Sequence, residues 1–97
     1  MLTFEKVLTG FKDYLEEDKR YEILMTSHGY AVLEWNSSGE DLESATFCPT
    51  PERMKECLLD ALAGYLEYKV TLCSRNLTDD ERQIIQDQVQ KISNSVQ

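Results

Sequence analysis

Lys and Arg are absent from Tyr21 to Thr50, although Glu22, Glu34, Glu40, Asp41 and Glu43 all lie there. Those acids supply most of the chain's net charge of -8. A segment charged with one sign repels phosphate and favours cationic partners. With a pI near 4.5, it argues against nucleic-acid binding by phosphate neutralisation and against an anionic membrane surface. Histidine occurs once, at His28. No Cys or acid stands at metal-ligand spacing from it, so no metal is expected. Cys48, Cys57 and Cys73 are odd in number and form no C-x-x-C, the usage of a reducing compartment. No apolar run is long enough to cross a bilayer. Met1-Leu2-Thr3-Phe4-Glu5-Lys6 lacks the basic leader of a signal peptide. The expected location is cytoplasmic, and no cofactor motif is present.

What the chain has is amphipathic periodicity. Its 97 residues suffice for one domain with a modest core. Residues 3–17 read as a helix capped by Thr3, with Phe4, Val7, Leu8, Phe11 and Leu15 along one face. Gly10 weakens it slightly. Tyr21–Thr26 and Tyr30–Asn36 read as strands joined by a tight turn at Ser27-His28-Gly29. Ser37 to Asp41 is a loop, and Leu42–Cys48 a third strand that could begin at Ser44. Thr50-Pro51-Glu52 opens the longest helix, reaching Thr71 or Cys73, because Pro suits a position whose N–H is unneeded and Glu suits the positive helix end. Thr78 and Glu81 form a capping box for a last helix. Residues 93–97 are expected to fray.

The order α-β-β-β-α-α implies an α+β two-layer sandwich: a three-stranded antiparallel meander with the helices packed on one face. Neither strand of the hairpin alternates cleanly. Tyr21, Ile23, Tyr30, Val32 and Glu34 share one side, and Leu24, Leu33 and Trp35 the other. Which side faces outward is open. If Leu24, Leu33 and Trp35 met the helices, the first set would be exposed.

The element order resembles the double-stranded-RNA-binding domain, which reads RNA with a Lys cluster at its second helix and with its first strand loop. Here Thr50-Pro51-Glu52-Arg53-Met54-Lys55-Glu56 mixes acids with bases, and Ser27-His28-Gly29 has none. The likeness is one of topology. RNA binding would need Lys6, Lys12, Lys19, Arg20, Arg53 and Lys55 gathered on one surface. A second resemblance runs over nearly the whole chain. Thr26-Ser27-His28-Gly29-Tyr30, Glu34-Trp35-Asn36, Thr50-Pro51-Glu52, and Leu77-Thr78 with Glu81 resemble a family of small proteins associated with integrative mobile elements of Gram-positive gut bacteria. It implies an accessory role in such an element and assigns no chemistry to the motifs.

Candidate chemistry is sparse. Cys48 and His28 fall at the same sheet end, just ahead of the helix opening at Pro51, whose positive end lowers a nearby thiol pKa. A Cys/His pair there is the minimum for a small nucleophilic enzyme. The competing reading is a packed thiol and an exposed turn residue. Glu40, Asp41 and Glu43 do not match a calcium loop. Tyr21, Tyr30, Trp35 and Phe47 could stack bases, but such platforms carry flanking Lys and Arg. The reading favoured is a non-catalytic interaction module. Its partner surface is Tyr21, Glu22, Tyr30, Glu34, Trp35 and Glu43 on the sheet, its partner a basic or amphipathic protein. A homodimer through the sheet is a further option. So is nucleic-acid mimicry, in which the acidic sheet occupies a basic groove.

Overall fold

A computed structural model describes residues 1–97. Helix α1, Phe4–Gly10, begins where Thr3 Oγ1 accepts from the Lys6 N–H at 3.1 Å. The single helix expected over 3–17 bends at Phe11, with φ −102° and ψ 7°, before α2, Lys12–Glu17. Helical hydrogen bonds from Phe11 to Val7 and from Leu15 to Phe11 span the bend. Phe11 and Val7 are both fully buried.

The chain then forms β1, Tyr21–Thr26, β2, Gly29–Trp35, and β3, Leu42–Cys48, an antiparallel sheet in the order β1-β2-β3. Gly29 closes the hairpin with φ +139°, and a Cβ there would stand 2.9 Å from the Cys48 carbonyl oxygen. Both the turn and the approach of β3 therefore favour glycine. Cross-strand partners run Leu24–Ala31–Phe47, Ile23–Val32–Thr46 and Glu22–Leu33–Ala45. An irregularity at Glu34/Trp35 leaves Glu43 unpaired between Ser44 and Leu42.

Helix α3, Pro51–Thr71, is capped by Thr50, whose hydroxyl accepts from the Arg53 N–H. It packs on β2, β3 and α1. Helix α4, Asp79–Ser95, carries the complete Thr78–Glu81 capping box and packs on α3. The sheet forms one layer and the helices the other, and the smallest dimension is 18 Å. Between them lie Val32 and Cys48 from the sheet, Val7, Phe11 and Tyr14 from the first helices, Met54, Leu58, Ala61 and Leu62 from α3, and Val96. The expected fraying of 93–97 does not hold. Helix α4 reaches Ser95, Val96 is fully buried, and Lys55 Nζ donates to its carbonyl at 2.7 Å. No helix is long and apolar enough to cross a membrane.

Candidate interaction surface

Side chains alternate across a strand, so the register divides the sheet into two faces. Tyr21, Ile23, Tyr30, Val32 and Cys48 pack against the helices. Tyr30 also meets Phe4, ring centroids 4.6 Å apart. Leu24, Leu33 and Trp35 therefore take the opposite face, with Glu22, Ala31, Ala45 and Phe47. This reverses the alternative that put Tyr21, Tyr30 and Glu34 outside. Of the six residues expected to bind a partner, only Glu22 and Trp35 remain on the uncovered face. Tyr21 and Tyr30 are half-buried core, Glu34 points with them, and Glu43 sits at the irregularity beside β2.

The uncovered face has relief. Ala31, at its centre, is 9% exposed because Leu24 and Phe47 rise on either side, at 52% and 49%. Leu33 and Trp35 continue the trough, and Leu42, also half exposed, closes the end beside Trp35. Sequence reasoning placed Phe47 among the aromatics but missed Leu24 and Leu42 as surface residues. A usable signal lay in β3, where the small Ser44, Thr46 and Cys48 share the side over which a helix can lie closely.

The charge pattern also differs from the expectation. Arg20 lies just outside the base-free stretch, yet its Nη2 stands 3.1 Å from Glu34 Oε2 and 3.0 Å from Glu43 Oε2. Its Nε donates to the Trp35 carbonyl. Exposed pairs of this kind contribute about 0–1 kcal/mol each, but they set one positive charge against two of the expected acids and so offset half of their charge. Glu22 stays free on the open face. Glu40 and Asp41 stay exposed in the β2–β3 loop, where Asn36 accepts from the Glu40 N–H and donates to the Asp41 carboxylate. The Trp35 Nε1–H is buried and has no acceptor, an arrangement that costs about 1–3 kcal/mol.

The other candidates separate. Cys48 is fully buried, and its thiol donates to the Thr46 carbonyl at 3.6 Å. Burial pushes the thiol pKa up, outweighing the lowering from Cys57 and Arg53. The lowering expected from the helix start is overridden, because removing a thiolate from water costs more than a nearby dipole returns. His28 is exposed in the turn, held through its backbone N–H to Thr26 Oγ1. Its imidazole makes no hydrogen bond to Cys48. Burial likewise raises Cys57, whereas Cys73 is exposed. No group of three or more His, Cys, Asp or Glu could hold a metal. Besides Arg20, three of the six bases that RNA binding would need are engaged within the chain. Lys6 reaches the Met1 carbonyl, Lys55 the Val96 carbonyl and Arg53 the Glu56 carboxylate.

Comparison with protein-family models, with curated proteins and with solved structures gave no match for this chain.

Proposed function

We propose that this chain is a non-catalytic interaction module whose uncovered sheet face receives one amphipathic helix flanked by Lys or Arg. The observation that carries the reading is the Leu24–Ala31–Phe47 trough, apolar and half exposed, with every helix on the other side. Size favours a single helix. Two interstrand spacings make the sheet about 10 Å wide between outer strand axes, close to the breadth of a helix with its side chains, about 10–12 Å. Charge favours a cationic one. Glu22, Glu40 and Asp41 form no ion pair, and residues 21–50 contribute no cation.

The same charges disfavour a second copy as occupant. Two chains face to face would bring together two copies of Glu22, on molecules that each carry a net -8 over the whole chain. Mimicry of nucleic acid draws less support, since Arg20 sits between Glu34 and Glu43 and offsets part of their charge. A Cys/His enzyme draws less still, because the Cys48 thiol is sealed from solvent. An accessory role in a mobile element remains the setting that the sequence resemblance implies.

Trp35 is the only tryptophan and lies on the proposed surface. Its emission therefore reports binding there. The test titrates the protein with a tryptophan-free Leu/Lys amphipathic peptide and with its Leu/Glu counterpart. A saturable change with the Lys peptide alone, weakened by salt and lost in Leu24→Asp, is expected. Equal responses to both peptides, or sedimentation as a dimer that buries the face, would overturn the reading.

A further inference from the structure

The helix-side end of the sandwich holds a second feature, independent of the open face. A pocket of about 570 Å³ lies between the link from α2 to β1 and the outer turns of α3. Tyr21, Tyr65 and Tyr68 line it together with Glu17 and Asp18. Asp18 is the chain's one buried charged residue, 5% exposed. Its carboxylate accepts from the Tyr14 hydroxyl at 2.7 Å and from the Arg20 backbone N–H at 3.2 Å. Both donors are neutral, and no Lys or Arg forms an ion pair with it. Buried charges are ordinarily paired, because an uncompensated one is costly.

The bases on the wall do not compensate it. The Arg20 guanidinium turns to Glu34 and Glu43, and Lys19 is exposed and makes no ion pair. The chain meanwhile displays the chemistry this wall accepts. Lys69 Nζ stands 5.3 Å from the centroid of Tyr65 and 3.4 Å from Glu17 Oε1. Aromatic faces attract cations through their quadrupole, and rings with carboxylates are how proteins hold ammonium groups. Carboxylates also help to raise the Tyr21 and Tyr65 phenols, after burial itself.

We propose that this pocket binds an alkylammonium head group, with the cation set between the tyrosine rings and the Asp18 carboxylate. The head group could belong to a free amine or to a modified lysine side chain.

Choline, its neutral carbon isostere and an acetylated trimethyllysine amide serve as probes, read by amide chemical shifts on the full chain. Saturable shifts at Asp18, Tyr65 and Tyr68 are expected with the cations, and binding of the isostere should be about tenfold weaker. Tyr68 is 53% exposed, so Tyr68→Leu should fold normally and weaken binding while Tyr68→Phe retains it. Lys69→Met removes the internal competitor and should tighten binding. Preference for choline assigns the site to free amines, and preference for the trimethyllysine amide assigns it to a peptide. Equal binding of the neutral isostere, or shifts that avoid the pocket, would overturn the proposal.

Discussion

Val96 occupies the space that a side chain on Gly10 would need. A Cβ built on Gly10 would collide with Val96 Cγ2. The end of the chain is thus seated on its first helix, and Gly10 is present for clearance rather than flexibility. In an ordinary helix Gly→Ala gains about 1 kcal/mol. Here Gly10→Ala is expected to destabilise, because it displaces a fully buried valine worth about 1.5–3 kcal/mol. In a Val96→Ala background the same change should stabilise. Urea unfolding of the two single variants and the double variant reads this reversal of sign.

The two sheet faces should respond differently to truncation. Phe47→Ala removes a half-exposed ring and is expected to cost under about 1 kcal/mol. Leu58→Ala, at a fully buried position, is expected to cost about 2–5 kcal/mol. Comparable losses in thermal or urea unfolding would mean that Phe47 is core.

Alkali should unfold the protein cooperatively. Tyr14 is raised far above the ordinary phenol range by burial and by its hydrogen bond to Asp18, and Tyr21 and Tyr65 are raised by burial and nearby carboxylates. A raised folded-state pKa contributes stability that is intact below the unfolded value, about 10, and is lost as pH rises beyond it. Ultraviolet titration should show some of the five tyrosines ionising only on unfolding.

Acid should loosen the start of α4 first. The Arg75 guanidinium donates to both Glu81 oxygens at 2.7 Å, and the Thr78 N–H donates to one of them. These contacts lower the Glu81 pKa to about 2. Their contribution is present above the ordinary carboxylate range and disappears as pH falls from about 4 towards about 2. Faster amide exchange in the first turn of α4 over that range, absent in Glu81→Gln, is the expected observation.

Local signals carried the architecture. Thr3, Thr50 with Pro51, and Thr78 with Glu81 mark helix starts through chemistry confined to a few residues, and Gly29 marks the hairpin in the same way. The outward face of the sheet was not legible, because Tyr21-Ile23 and Leu24-Leu33 are both apolar and periodicity alone gives them equal claims. The seat of Val96 on Gly10 joins opposite ends of the chain, and the reach of Arg20 to Glu43 crosses the sheet. Neither leaves a mark in local composition. The burial of Asp18 was not legible either, since it depends on Tyr14 and on the packing of α3.

The uncovered sheet face is tested most directly by mapping amide shifts of the labelled protein on addition of the Leu/Lys amphipathic peptide. The expected map is confined to Glu22, Leu24, Ala31, Leu33, Trp35 and Phe47, with Leu58 and Ile85 unmoved. Saturable binding that shifts the helical layer and leaves Leu24, Ala31 and Phe47 in place would contradict it.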